Sequence, residues 1–218
     1  MNIETSNKLS HEANLALQNK DYPEANRILK VLTEKFPENY NFKLNLAATF
    51  RELGQPNEAF FYYKEAEKLN NKDYVLYFNL ANLLAEDLNH PDESAICYLE
   101  SLKLNPDYIN AWQNLSLLYV NNDKFDLAIK VCDKILSINS DHFDGNYVKG
   151  FSLLSLGSPS NAKIFIEKAL SIEYNTGVLR ALAEINHMLG NKNEAVKQSA
   201  ESEGAFVFYS DNKPYLSL

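Results

Sequence analysis

The segment Trp112-Gln113-Asn114-Leu115-Ser116-Leu117-Leu118-Tyr119, continued by Ala128, Cys132 and Ser140, decides the fold. Trp112, Leu115, Ser116 and Tyr119 stand at i, i+3, i+4 and i+7, the spacing of one stripe on an α-helix. Ser116 is small among large apolar neighbours, and counting outward from it uncovers a period. Ala13, Ala47, Ala81, Ser116, Gly150 and Ala183 are separated by 34, 34, 35, 34 and 33 residues. A second series, Ala25, Ala59, Ser94, Ala128, Ala162 and Ala195, runs in step behind the first. Two registers of small side chains at one period mark places where helices approach too closely for a bulky residue.

Proline and glycine punctuate the same units. Pro23, Pro56, Pro91 and Pro159 fall two or three residues before the second small position, which suits the first turn of a helix. Pro37 and Pro106 follow about a dozen residues later, where that helix stops. Gly54, Gly157 and Gly190 each follow a Leu at the end of the first helix. Each unit therefore reads as a helix of about 14 residues, a tight turn and a second helix of similar length.

This pattern resembles the tetratricopeptide repeat, W-x2-L-G-x2-Y, A-x3-F and P at a period of about 34 residues. Here Ser116 replaces the Gly, Cys132 the Phe and Ser140 the Pro. Leu46, Ala47, Phe50, Ala59 and Tyr63 carry the same slots one unit earlier. The resemblance covers roughly residues 3–203, about six repeats. It implies an all-α, right-handed solenoid of helical hairpins, the tetratricopeptide superhelix, over 1–203. One hairpin cannot bury both its faces, whereas a stack of hairpins can, and such a stack exposes an inner surface.

After Ser202 the period stops. Ala205, Phe206, Val207, Phe208 and Tyr209 form a strand-like run, and residues 210–214 read as a turn. This tail, 204–218, has three readings: a cap on the last hairpin, the start of a further domain, or a segment lying in a groove of its own or another chain. The last of these makes a homo-oligomer.

Lys plus Arg total 21 against 29 Asp plus Glu, a net charge of -8, which argues against nucleic acid or an anionic membrane as partner. The start, Met1-Asn2-Ile3-Glu4, lacks the basic and then apolar run of a secretory signal, and no stretch is apolar enough to span a bilayer. Cys97 and Cys132 are too few for a disulfide framework and read as buried apolar residues. A cytoplasmic location is expected. His11, His90, His142 and His187 occupy unrelated slots, and no phosphate-loop or nucleophile-elbow motif occurs. Glu86 and Asp87 read as solvated acids. We expect no metal, no cofactor and no catalysis.

In tetratricopeptide folds, the positions two before and two after the Trp slot line the inner surface. Asn45, Asn79 and Asn114 fill the later of these in three successive repeats, with Asn41 and Asn110 four residues earlier. Asn82 lies three residues after Asn79, and Asn14 holds its slot in the first repeat. An Asn side chain carries an acceptor and a donor and matches both halves of a peptide unit. The row resembles the asparagine ladder of O-linked N-acetylglucosamine transferases, which implies an extended polypeptide held by its backbone. Composition is the competing account, since Asn makes up about one residue in eight. Phe78, Tyr147 and Phe151 stand beside the row as apolar anchors or as core.

A carboxylate clamp of the co-chaperone kind is excluded by its missing cations. Ser10 stands in its Lys slot, and Val75 and Asn79, or Asn110 and Asn114, stand where Lys and Arg belong. The expected function is a protein-protein interaction module binding an extended peptide or partner protein. The alternatives are the substrate-recognising portion of a larger enzyme, such as a glycosyltransferase, and a self-assembling scaffold.

Overall fold

A computed structural model describes residues 3–203, 206–210 and 213–217. The chain divides into two compact units, Met1–Tyr108 and Ile109–Leu218. The first holds α1 (Ile3–Gln18), α2 (Tyr22–Lys35), α3 (Tyr40–Glu52), α4 (Pro56–Leu69), α5 (Tyr74–Asn82) and α6 (Pro91–Leu104). A π-helical turn, Leu83–Asp87, extends α5. The second holds α7 (Ile109–Asn121), α8 (Phe125–Ile138), α9 (Phe143–Ser155), α10 (Pro159–Ile172), α11 (Thr176–Met188) and α12 (Lys192–Ser202). Each unit is thus three helical hairpins, the all-α tetratricopeptide architecture.

Every hairpin turn is three residues long, and its middle residue has a positive φ. These are Lys20, Gly54, Asn89, Asp123, Gly157 and Gly190, with φ between 55 and 80°. Glycine adopts that backbone without steric cost, and Asn or Asp with little, whereas Lys20 does so at some expense. Prolines 23, 56, 91 and 159 sit in the first turns of α2, α4, α6 and α10, where a missing N–H leaves no helical bond unmade. Between hairpins, the side-chain oxygens of Asn70, Asn105 and Asn139 accept from the backbone N–H two residues on.

The small-residue slots lie at the centre of the packing. Ala25, Ala47, Ala59, Ala81, Ser94, Ala128 and Ala162 are fully buried, and Ala13 and Ser116 are 1% exposed. Leu29, Leu32, Leu46, Tyr63, Leu76 and Leu83 fill the core of the first unit. Ile166, Ala169, Val178, Leu182 and Ile185 fill much of the second.

The longest period, 35 residues, has a structural counterpart. Ser94 follows Ala81 by 13 residues, where Ala59 follows Ala47 by 12. The extra residue is absorbed by the π-turn, whose wider ring accepts one more residue without unravelling the hairpin. Glu86 and Asp87 lie on this turn, and they are ion-paired instead of merely solvated. Arg51 donates to Asp87 at 2.6 Å and to Glu86 at 2.5 Å.

Beyond α12, β1 (Phe206–Ser210) pairs antiparallel with β2 (Lys213–Ser217), Phe208 opposite Tyr215. Both strands lie against α12. Lys213 and Pro214 join β2, although the sequence assigned them to the turn. In a two-stranded sheet each strand has a free edge, so a proline there need not interrupt the pairing. Gly204, Ala205, Asp211, Asn212 and Leu218 lie outside the described residues, as do the side chains of both strands.

Candidate functional site

In the first unit, two ties hold α3 alongside α5. The Tyr40 hydroxyl donates to Asp73, the N-cap of α5, at 2.7 Å. At the other end Arg51 grips Asp87 and Glu86. Asn45 and Asn79 lie between these ties, each half-buried. Asn14 and Asn41 are exposed on α1 and α3. None of these four side chains makes a hydrogen bond with the described residues.

Asn82 differs from them. It is 9% exposed, and its side-chain carbonyl accepts from the Tyr98 hydroxyl of α6. It immediately precedes the π-turn and serves the packing of α5 on α6, so it does not extend the row. Asn14, its counterpart in the first hairpin, remains exposed. Phe78 is half-buried, with its ring 6.0 Å from Tyr98 and 5.0 Å from Tyr108. Its contacts are those of an aromatic cluster with one open side.

The second unit carries Asn110, exposed, and Asn114, half-buried, on α7. Gln113 donates to Asp144 at 2.6 Å and ties α7 to the start of α9. Along α9, Phe143, Tyr147 and Phe151 recur at i, i+4 and i+8 and form one aromatic strip. Phe143 stacks on Tyr147 at 6.1 Å, and Tyr147 lies 6.5 Å from Phe151. Phe151 also meets Phe125 at 6.4 Å and remains 36% exposed. Sequence reasoning named Tyr147 and Phe151 but missed Phe143, which the i−4 spacing from Tyr147 would have supplied.

The last hairpin is open where the others are closed. Ala183 and Ala195 are 8% and 7% exposed and border a cleft of about 630 Å³, together with Arg180, Glu184, His187 and Val196. No further helical hairpin follows these slots among the described residues.

Chemistry-bearing residues are dispersed. His142 caps α9 by accepting from the Gly145 N–H, and His90 faces Glu93 at 2.8 Å. No three metal-ligating side chains converge among the described residues. Burial pushes the Cys132 thiol up to about 12 and the Cys97 thiol up to about 11. Raised values keep both thiols protonated, and the nucleophilic thiolate is scarce at neutral pH. Native protein at pH 8 should therefore take up iodoacetamide at least about tenfold more slowly than urea-unfolded protein. Mass spectrometry of the alkylated peptides checks this, and rapid labelling of Cys132 in the folded chain would contradict it.

Among the described residues, no helix is long and apolar enough to cross a membrane. Models of the tetratricopeptide repeat match residues 11–74, 74–108, 97–130 and 143–176. Anaphase-promoting complex subunit 7 of Dictyostelium discoideum is 27% identical over 92 residues, 42% of this chain and 16% of that protein. Superkiller complex protein 3 of Homo sapiens is 29% identical over 123 residues, 56% of this chain and 7% of that protein. The chain thus spans less than a fifth of the length of either relative. A tetratricopeptide repeat protein from Parabacteroides merdae superposes with a TM-score of 0.77 at 21% identity, covering 92% of this chain and 80% of the other. With the period, the buried small slots and the hairpin geometry in agreement, the chain belongs to the tetratricopeptide repeat family.

Proposed function

We propose that this chain is a non-catalytic module for protein-protein interaction, whose first helices hold an extended segment of a partner by its backbone. The supporting observation is a division of labour among asparagines. Asn39 and Asn175 cap helices, Asn70, Asn105 and Asn139 close turns, and Asn26, Asn146 and Asn186 bond inside the packing. Asn14, Asn41, Asn45, Asn79 and Asn110 do none of this, and their amides stay available for another chain. Asn57 and Asn161 on second helices are also without such bonds, but on the first helices Asn45 and Asn79 share one slot and Asn41 and Asn110 another.

In the second unit, Tyr147 and Phe151 supply an apolar strip on α9, suited to a partner's side chains. The charge of -8 favours a neutral or basic segment. Two free thiols suit a reducing compartment such as the cytoplasm. Self-association through the tail would involve side chains outside the described residues.

Selection from a displayed library of random dodecapeptides tests this reading. The Asn41→Ala/Asn45→Ala/Asn79→Ala chain should bind the selected peptides about tenfold or more weakly, at about 1 kcal/mol per hydrogen bond lost. Its helical circular dichroism and melting temperature should match the parent. Undiminished affinity in the triple variant sinks the proposal.

A further inference from the structure

A second cleft lies in the first unit, on another face. It has a volume of about 460 Å³ and is lined by Lys30, Thr33 and Glu34 of α2, Lys43 of α3, and Phe61, Tyr62 and Glu65 of α4. Its origin is legible by counting. Lys43 occupies the slot that Tyr77 and Trp112 fill in the next two hairpins. A slender alkyl chain stands where a broad ring would pack, and space remains. Lys43 is two residues from both Asn41 and Asn45, about 200° around α3, so it faces away from the asparagine row.

The lining carries unmet polar capacity. Thr33 is 8% exposed, and its hydroxyl has no hydrogen-bond partner among the described residues. An orphaned buried hydroxyl costs stability unless something outside the chain satisfies it. The Lys43 side chain is 11% exposed and makes one bond, to Glu65 at 3.3 Å, leaving two N–H donors. Glu65 is also paired with Lys68, and Glu34 is exposed. Charge is balanced: Lys30 and Lys43 against Glu34 and Glu65. An anion would meet two carboxylates and a cation two ammonium groups.

An uncharged group offering both an acceptor and a donor meets neither penalty. Beside it, Phe61 is 57% exposed and packs edge-on against Tyr62 at 5.1 Å, an open ring at the mouth of the cleft. Tyr62 in turn stacks on Phe50, and Lys30 lies over the Phe50 ring, so this wall is fixed. We propose that the cleft between α2 and α4 is a binding site for a peptide unit flanked by an apolar side chain. Its carbonyl is taken by the Lys43 ammonium and, once the Thr33 side chain turns toward the cleft, by the Thr33 hydroxyl, its N–H by a carboxylate, and its apolar side chain by Phe61. The partner is an exposed protein segment, bound independently of the first helices' amides.

N-Acetyl-leucine N′-methylamide is a sufficient probe, read by the Thr33 methyl signal in ¹H–¹³C spectra. Saturable shifts are expected in roughly the millimolar range, as befits so small a ligand. Thr33→Val keeps a methyl but removes the hydroxyl; it should weaken binding about tenfold and raise the melting temperature by roughly 2–4 °C. Phe61→Ala, on the surface, should weaken binding with melting unchanged. Three results would overturn the proposal: no saturable shift, equal binding by the Thr33→Val chain, or preference for N-acetyl-leucine with its free carboxylate. A lower melting temperature for Thr33→Val would also count against it, because the hydroxyl would then have a partner within the fold.

Discussion

Gly150→Leu should lower the unfolding free energy of the second unit by about 3 kcal/mol or more, whereas Ala183→Leu should change it by less than about 1 kcal/mol. Both residues occupy the first small slot, one hairpin apart. At Gly150 even a Cβ would stand 2.7 and 2.8 Å from Ile166 side-chain carbons and 3.2 Å from the Ala162 carbonyl oxygen. Ile166 is fully buried and cannot swing aside, and a backbone oxygen moves only with its helix. Exchange of a helical glycine for a side chain recovers about 1 kcal/mol of helix propensity, too little to offset that overpacking. At Ala183 the facing helix α12 presents Ala195 and Ser199 in place of Ala162 and Ile166, and the new side chain enters the cleft that they border. Trp112 is the chain's one tryptophan and belongs to the same unit, so its fluorescence in a urea titration reports both variants. Equal losses at the two positions would show that the slot, not the size of the residue facing it on the second helix, sets the tolerance.

That contrast marks what is legible in this sequence. Small residues, prolines and turn glycines act over a few residues, so their period yields the hairpins, the helix starts and the three glycine turns. Even the π-turn is present as a single extra residue between Ala81 and Ser94, although nothing local tells whether a helix or a loop will absorb it. The candidate site is less legible because a side chain's availability depends on distant neighbours. Asn82 and Asn14 share a slot, yet Tyr98 from the next helix takes up Asn82 and nothing takes up Asn14. Glu86 and Asp87 read as idle acids until Arg51, 35 and 36 residues earlier, arrives beside them. Lys43 shows the converse: counting the period finds a lysine in an aromatic slot, but only the packing of α2 and α4 turns the mismatch into a cleft.

The same slot arithmetic singles out Asn186, and Asn186→Leu should destabilise the second unit by about 2 kcal/mol. Phe50, Leu84, Tyr119 and Leu153 fill this position in earlier hairpins, so by period alone a leucine belongs there. The structure opposes that inference. Asn186 is 1% exposed; its carbonyl accepts from Lys163 at 2.9 Å and Asn191 at 3.2 Å, and its amide donates to Gln198 at 2.8 Å. These bonds join α10, the turn after α11, and α12. A leucine gains apolar contact but strands three polar partners, of which Lys163 and Gln198 are partly buried, and the loss of their bonds outweighs the gain. Asn186→Asp keeps the acceptor and adds charge toward Lys163, and gives up only the bond to Gln198; it should lie within about 1 kcal/mol of the parent. Urea unfolding followed through Trp112 ranks the two variants. A leucine chain as stable as the parent would mean that the last hairpin accepts the apolar residue its predecessors use, and that the network is dispensable.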